Sequence, residues 1–280
     1  MRALFKRTAP AVRLPVVAAV VLSLALTLSA CATRPPASDP DAVADFEQTN
    51  DPLEPTNRVL YVINDGLDTI LVRPLAIAYA GLLPQFARTG SHNFLNNLNT
   101  PVRLANDIMQ AKPRRAGDTL MRMLINTTIG VGGLFDVATG WGYPDHGSDF
   151  GQTLAVWGVP EGAYLFLPLL GPSSPRDATG LVADIAIDPL TWVGKGNIIL
   201  GLGYVRYGVT AIDQRSRLLG DLDKVKESAL DPYATFRSLY RQYRQSKLDD
   251  VRSDDRATPP LWFRNRQPPA AAAAPAPATP

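Results

Sequence analysis

The sequence predicts an all-α fold with few or no strands, and three observations support this fold class. Pairs of a helix-capping residue and a proline recur along the central part of the chain. A proline at the first helical position loses no hydrogen bond, because an N–H group there would have no partner within the helix. Two late segments carry apolar residues at three- and four-residue spacing, and strand signals are weak. The cap–proline pairs are Asp51-Pro52, Thr100-Pro101, Ser174-Pro175, Asp188-Pro189 and Asp231-Pro232.

These pairs divide the central region into a series of helices. Glu54 and Asp177 each lie three residues after a cap, where an acidic side chain stabilises the start of a helix. Residues 164–170 are apolar and form either an extended crossing or a short strand. The predicted helices cover residues 52–69, 74–83, 86–99, 101–111, 114–129, 149–157, 175–186, 197–219, 221–230 and 232–248.

Two late helices have the clearest amphipathic patterns. In one, apolar residues repeat on a single face while Arg206, Arg215 and Arg217 lie elsewhere; in the other, aromatic residues repeat and arginines lie off their line. The pattern indicates either a core face with a solvated opposite face, or an interfacial surface with aromatics at headgroup depth and arginines on phosphates. The two repeating sets are Leu202, Val205, Val209, Ile212 and Leu219, and Tyr233, Phe236, Tyr240 and Tyr243.

The start of the chain is typical of a cleaved secretory signal. Basic residues precede a short apolar run over residues 16–28, and small residues follow it. The tetrapeptide Leu28-Ser29-Ala30-Cys31 resembles the lipobox of bacterial lipoproteins, in which the cysteine is acylated and becomes the first mature residue. Cys31 is the only cysteine of the chain, and Ala32 follows it. We therefore expect a lipid anchor at Cys31 and an outer-membrane destination; the alternative is a cleavage site that merely lies beside a thiol.

Composition predicts one folded body between two polar flanks. We expect a signal peptide over 1–30, a tether over 31–50, a helical domain over 51–250 and a Pro/Ala-rich tail over 251–280. Removal of the four basic residues before Cys31 leaves 24 basic and 26 acidic residues, a net charge of −2. This balance argues against a nucleic-acid partner. The mature sequence has no apolar run long enough for a spanning helix, which favours an anchored body.

The sequence assembles no convincing catalytic or metal site. His92 and His146 are the only histidines, neither has a partner at metal-ligand spacing, and a Gly-x-Ser-x-Gly motif is absent. Ser148 and Asp149 lie too close to His146 along the chain for triad geometry, so turn capping is expected instead. We predict no catalytic residue, no metal and no cofactor.

Two long segments resemble the MlaA/VacJ lipoproteins of Gram-negative envelopes, and the resemblance extends over residues 51–243. The segments are 124–130 (LINTTIG) continuing into 133–138 (GLFDVA), and 149–159 (DFGQTLAVWGV) continuing through 167–173 (LPLLGPS) to Arg176-Asp177. Shorter supporting stretches are Asp51-Pro52-Leu53-Glu54, Asn57-Arg58, Val72-Arg73-Pro74, Asn93-Phe94, Asn97-Leu98 and Asp231-Pro232-Tyr233.

The resemblance implies a fold and a function that the residues alone do not supply. Members of this family are outer-membrane lipoproteins, each a flattened ring of short amphipathic helices around a central channel. They associate with trimeric porins, remove misplaced phospholipids from the outer leaflet and pass them to a soluble periplasmic carrier. Of the family's functional residues, the lipidated cysteine is matched by Cys31.

Two glycine-containing segments are candidate channel or hinge positions, with plain turns as the alternative for each. One is a predicted turn at Asn64, Asp65 and Gly66. The other comprises Gly130, Gly132 and Gly133, which we expect to stop a helix and to allow a close backbone approach.

Two rival functions remain open. An envelope lipid hydrolase would need a nucleophile, either Ser148 or Ser91 beside His146 or His92. A porin-associated scaffold would need neither nucleophile nor channel. Alanine at both histidines separates the hydrolase from a lipid conduit, and bulky substitutions along a channel separate the conduit from the scaffold.

Overall fold

The computed structural model describes residues 51–192 and 197–253, together with a few isolated positions before Asp51. The predicted signal peptide and its lipobox residues Leu28, Ser29, Ala30 and Cys31 lie outside the described residues, as do most of the tether and residues 254–280. The first three residues of the predicted tail, 251–253, belong instead to the last helix.

The described part of the chain is helical, with one short hairpin, which confirms the predicted fold class. Most helices begin and end within a few residues of the predicted bounds. They are α1 (Glu54–Leu67), a π-helix (Asp68–Val72), α2 (Arg73–Leu82), α3 (Gln85–Leu98), α4 (Thr100–Met109), α5 (Pro113–Thr128), α6 (Val137–Gly140), α7 (Phe150–Val156), α8 (Pro175–Ile187), α9 (Pro189–Trp192), α10 (Asn197–Arg217), α11 (Leu219–Ser228) and α12 (Pro232–Ser253).

Predicted caps account for several helix starts. The Asp149 carboxylate accepts a hydrogen bond from the backbone N–H of Gln152 at the start of α7, and Ser174 accepts one from Asp177 at the start of α8. The short helices α6 and α9 and the π-helix were not predicted, because runs of four or five residues carry too little periodicity to detect.

The hairpin confirms the short-strand alternative for residues 164–170. Strand β1 (Leu165–Leu167) pairs antiparallel with β2 (Gly171–Ser173), with Phe166 opposite Pro172. At the tip between the strands, Leu169 has a positive φ of 66° and an exposed side chain. Gly171 supplies a second positive φ without steric cost, since it has no Cβ atom.

The main apolar core is a group of aromatic side chains, which we call the aromatic cluster. It consists of buried Tyr164, Phe166 and Tyr233, with partly buried Tyr61 and Tyr240 packed against it. The rings of neighbouring pairs meet edge to face at centroid distances of 5.6–6.1 Å, the favourable arrangement for aromatic quadrupoles. The cluster joins α1, the hairpin and α12.

Elsewhere, burial is inverted relative to a water-soluble domain. Polar and charged residues outnumber hydrophobic ones among the fully buried residues that the structure describes, whereas many large hydrophobic side chains are exposed. The most exposed of them, at 73–107% of their possible area, are Ile70, Leu82, Phe86, Leu169, Trp192, Tyr204 and Leu230. Within 51–192 and 197–253, no helix combines the length and the apolar character needed to cross a bilayer.

Candidate functional site

The inverted region centres on a network of buried polar side chains between α4, α5, α7 and α8, which we call the polar interior. At its centre, Gln110 Nε2 donates to Ser148 Oγ and to Thr153 Oγ1, both at 3.0 Å. Thr153 Oγ1 donates to Asn106 Oδ1 at 2.8 Å, and Asn106 Nδ2 donates to Asp184 Oδ1 at 2.7 Å. These hydrogen bonds pair most of the polar atoms involved, which lowers the cost of burying them. Within the described part of the chain, Gln110 Oε1 is buried without a hydrogen-bond partner.

Two carboxylates of the polar interior have pKa values shifted in opposite directions. Burial raises the pKa of Asp184 to about 6, because its hydrogen bonds from Asn106 and the backbone N–H of Phe150 only partly compensate. Burial alone would also raise the pKa of Asp107. There the hydrogen bond and charge of His146, whose Nε2 lies 2.9 Å from Asp107 Oδ2, outweigh it and lower the pKa.

Arg244 of α12 neutralises a pair of acidic side chains at the edge of this network. Its guanidinium donates to Asp149 at 2.7 Å and 3.2 Å and to Asp177 Oδ1 at 2.7 Å. Burial opposes ionisation of Asp149, but the hydrogen bonds and charge of Arg244 outweigh burial and lower the pKa of that carboxyl. Arg244, one of the arginines off the aromatic line of α12, is itself buried, so the alternative of a solvated opposite face does not hold for it. Arg215 is likewise buried, in an ion pair with Asp68.

Helices α7 and α8 cross in direct backbone contact beside Arg244. A Cβ atom at Gly180 would lie 2.3 Å from the backbone nitrogen of Gly151. A Cβ atom at Gly151 would lie 2.6 Å from Asp177 Oδ1 and 2.8 Å from Arg244 Nη2. Only glycine fits at this crossing, which brings the caps of the two helices within reach of one arginine.

The turn predicted at Asn64, Asp65 and Gly66 is wrong, whereas the helix predicted over 52–69 is confirmed there, because all three residues lie in the last turns of α1. Their neighbours explain the helical state. Asn64 Nδ2 donates to Leu167 O and its Oδ1 accepts from the backbone N–H of Leu169, both at 2.8 Å, so this side chain holds the hairpin tip.

A cluster of ion pairs fixes the end of α1 and the π-helix against α10 and α11. Lys226 contacts both Asp65 and Asp68. Arg215 Nε and Nη2 contact the two oxygens of Asp68 at 2.8 Å and 2.9 Å, a bidentate pair. Arg73 Nη2 contacts Asp223 Oδ2 at 2.9 Å. The π-helix is thus held by charges from two other helices.

The prediction that Gly130, Gly132 and Gly133 stop a helix and allow a close backbone approach is confirmed. Helix α5 ends at Thr128, and Gly132 and Gly133 follow with φ values of 69° and 95°. A Cβ atom at Gly130 would lie 2.3 Å from Phe135 O, and one at Gly133 would lie 2.4 Å from Asn97 Cβ.

Neither histidine is arranged as the base of a serine hydrolase. His146 Nε2 faces Asp107 and the hydroxyl of Thr119, while Ser148 is buried and bonded to Gln110. His92 uses both ring nitrogens, with Nδ1 2.7 Å from Asp213 Oδ2 and Nε2 3.0 Å from Asn96 Nδ2. Within the described ranges no group of three or more His, Cys, Asp or Glu residues could hold a metal ion.

The outer surface complements the polar interior. Among the residues described between 51 and 216, charged side chains are buried or half-buried, with Arg114 and Asp145 as the exposed exceptions. Exposed charges are otherwise concentrated in α11 and at the end of α12. The sequence indicated Asp149 and Asp177 at helix starts, but not their pairing with Arg244 or the network around Asp184. The available signal was the position of arginines and aspartates on the faces opposite the apolar faces of these helices.

Comparison with known proteins identifies relatives over most of this body. The family model of the MlaA lipoprotein matches residues 49–247. An uncharacterised protein of Rickettsia conorii is 35% identical over 199 residues, which are 71% of this chain and 78% of that protein. The intermembrane phospholipid transport system lipoprotein MlaA of Haemophilus influenzae is 33% identical, over 81% of this chain and 88% of that protein. The Escherichia coli protein of the same name is 34% identical, over 71% and 78%.

A solved structure shares the fold. It is described as the structural basis for maintenance of bacterial outer membrane lipid asymmetry, and it matches with a TM-score of 0.63 at 31% sequence identity. The match covers 71% of this chain and 98% of that chain.

Proposed function

The chain belongs to the MlaA lipoprotein family, and we propose that it is a phospholipid-transport lipoprotein of the outer membrane. It removes misplaced phospholipids from the outer leaflet and passes them to a soluble periplasmic carrier, without covalent chemistry. The observation that carries this proposal is the inverted body, with a polar interior and an apolar exterior.

The inversion favours a body embedded in lipid. In water, exposure of the leucine, isoleucine and tryptophan side chains costs about 25 cal/mol of free energy per Å² of apolar area. In a bilayer this cost is absent, and the groups that cost free energy are polar groups without a hydrogen-bond partner. Charged residues of the embedded part therefore pair inward, as Arg244 does with Asp149 and Asp177.

A conduit for a phospholipid must accept both halves of the molecule. A headgroup crossing a water-poor region needs polar partners, and the acyl chains need an apolar surface. We propose that the helices form a flattened ring around such a channel, as the family resemblance implies. The helix end at Asn64, Asp65 and Gly66 and the glycines at 130, 132 and 133 remain our candidates for its hinge or lining positions.

The remaining parts of the proposal follow from the sequence. Residues 1–30 direct export, Cys31 carries the acyl anchor, residues 31–50 tether the domain, which extends to the end of α12 at Ser253, and the residues after it form a Pro/Ala-rich tail. A trimeric porin is the proposed neighbour in the membrane.

The test uses a host strain that lacks the gene and compares phospholipid at the cell surface, measured with an impermeant amine label. The full-length chain should restore the low surface level. Val182→Glu, which places a charge on the exposed apolar face of α8, should fail to restore it. Leu230→Glu, beside the exposed charges of α11, is the matched control and should restore it.

Unchanged surface phospholipid in the deletion strain would contradict the proposed function. Full activity of Val182→Glu would contradict the embedding. His92→Ala and His146→Ala, each compared at equal protein level, separate the conduit from a hydrolase. The conduit predicts near-normal clearance for both variants, and a hydrolase predicts loss for one of them.

A further inference from the structure

Helix α5 has an outward face that changes from basic to apolar along its length. Arg114 is exposed at its start, and Leu120, Met121 and Leu124 are exposed one to three turns later. The opposite face is polar and buried; it includes Arg115 and Asn126. This is the reverse of the pattern on a helix that covers a water-soluble core.

The apolar outward face continues into the turn that follows α5. Ile129, Val131, Leu134 and Phe135 are all exposed there, at 42–62% of their possible area. None of these residues is charged, so the end of α5 that lies farthest from Arg114 is also its most apolar surface.

The basic start of α5 lacks counter-ions. The side chains of Lys112 and Arg114 form no hydrogen bond or ion pair with any residue in the described part of the chain, and the first turn of α5 contains no acidic residue. Arg115 differs, because it turns inward and donates to Gly147 O at 3.2 Å. Asp145, the other exposed charge before residue 217, is paired with Arg103 at 2.6 Å. The positive charge of Lys112 and Arg114 is therefore left for an external partner.

We propose that Lys112 and Arg114 bind the phosphate groups of anionic phospholipids at the membrane surface and thereby set the depth of α5. From Arg114 to Leu124 the helix rises about 15 Å, which equals the hydrocarbon thickness of one leaflet. With the basic pair at the phosphates, Leu120, Met121 and Leu124 lie among acyl chains, and the turn over 129–135 lies deepest. This inference rests on the embedding in the proposed function, but not on lipid transport.

Charge and length together favour lipid over a protein partner. An acidic protein surface would neutralise Lys112 and Arg114, but it would not cover the apolar face that begins two turns later and runs to the end of the helix. A leaflet supplies both surfaces in the right order and spacing. Each basic residue near an anionic membrane surface contributes about a five-fold increase in binding, hence roughly 30-fold for the pair.

The experiment measures insertion depth with the full-length acylated chain. An Ile129→Cys substitution supplies a thiol at the proposed deep end, and its labelling rate with an impermeant maleimide reports the fraction not inserted. The chain is reconstituted into vesicles of phosphatidylcholine alone, or with one third phosphatidylglycerol. The test variant carries K112E and R114E. The matched control carries K224E and R252E, at two exposed basic positions on α11 and α12, so that both chains change by the same charge.

The expected result is strong protection of the thiol in anionic vesicles. Labelling should become faster by at least roughly 30-fold for K112E/R114E in those vesicles, because the substitutions remove two attractive charges and add two repulsive ones. It should be little faster for the control, and equally fast for all chains in neutral vesicles. Added salt should weaken the protection of the parent chain in anionic vesicles, because it screens the phosphate contacts.

The failures are distinguishable. Protection that is the same in both vesicle types, or the same for K112E/R114E and its parent, overturns the phosphate contact while the embedding stands. An equal loss in the K224E/R252E control also overturns it, since the effect would then belong to net charge. A thiol that no vesicle protects overturns the embedding as well.

Discussion

The aromatic cluster and the polar interior are built on opposite principles within one chain. In the aromatic cluster, Tyr164, Phe166 and Tyr233 are buried and their rings contact one another, as in the core of a water-soluble domain. In the polar interior, hydrogen bonds and ion pairs fill the centre while leucines and valines on the same helices face outward. Arg244 on α12 belongs to the second region, although Tyr233 on the same helix belongs to the first.

The difference shows which environment each region is suited to. Burial of apolar side chains stabilises a fold in water. In a lipid environment it contributes little, because the side chain passes from one apolar medium to another. There, satisfied polar contacts hold helices together, because a lost partner cannot be replaced by water. The polar interior is therefore the part suited to lipid, and the aromatic cluster joins it to the helices that carry exposed charge.

The largest expected effect comes from removing the cation of the polar interior. Arg244→Met leaves half-buried Asp149 without a cation and leaves Asp177 with Arg176 alone, and it should lower the free energy of unfolding by about 3 kcal/mol. Chemical unfolding of the chain in detergent, followed by circular dichroism, measures this. Arg252→Met on the exposed end of the same helix is the control and should cost less than about 0.5 kcal/mol.

Adding Asp149→Asn and Asp177→Asn to Arg244→Met should recover part of the loss, because no uncompensated charge then stays buried. A triple variant less stable than Arg244→Met alone would mean that shape, and not charge, holds this part of the polar interior together.

A smaller effect is expected at the crossing of α7 and α8. Gly180→Ala places a methyl group against the backbone of Gly151, so the two helices must separate, and stability should fall by about 3 kcal/mol. Gly117→Ala in α5 meets no atom within 4 Å and is the control; it should stabilise by up to about 1 kcal/mol through helix propensity. Equal melting temperatures for the two variants would contradict the close crossing.

The smallest effect is a pH dependence that belongs to Asp184. Its pKa is about 6 in the folded chain and about 3.9 in the unfolded chain, so the folded form binds more protons between these values. Stability should therefore fall as the pH rises from 4 to 6, and stay level above. Partial solvent screening reduces the contribution to about 1–2 kcal/mol.

Asp184→Asn should remove that slope, whereas Asp221→Asn on the exposed surface of α11 should retain it. The measurement is the free energy of unfolding of each chain at pH 4.5 and pH 7. A slope that is identical in Asp184→Asn and its parent would show that another group titrates and that the pKa of Asp184 is not raised in the folded chain.

The order of the helices was predictable because its signals are local. Ser174 and Asp149 start helices through hydrogen bonds to backbone groups three residues later. The glycines over 130–133 end α5 through local backbone conformation, with positive φ values at Gly132 and Gly133. The Asn64–Gly66 turn failed as a prediction because distant groups override local preference there. Asn64 is held by the hairpin 103 residues away in sequence, and Asp65 by Lys226 of α11.

By itself, the sequence predicted an all-α fold with few strands, an export signal and a lipid-attachment motif, and its long motifs indicated one family. Only the tertiary structure decided which face of each helix is buried. A period of 3.6 residues separates a polar face from an apolar one, but it does not say which of them points inward. That choice depends on ion pairs between residues distant in sequence, such as those of Arg244 with Asp177 and Asp149, which lie 67 and 95 residues away. It also depends on the medium that surrounds the exposed leucine side chains.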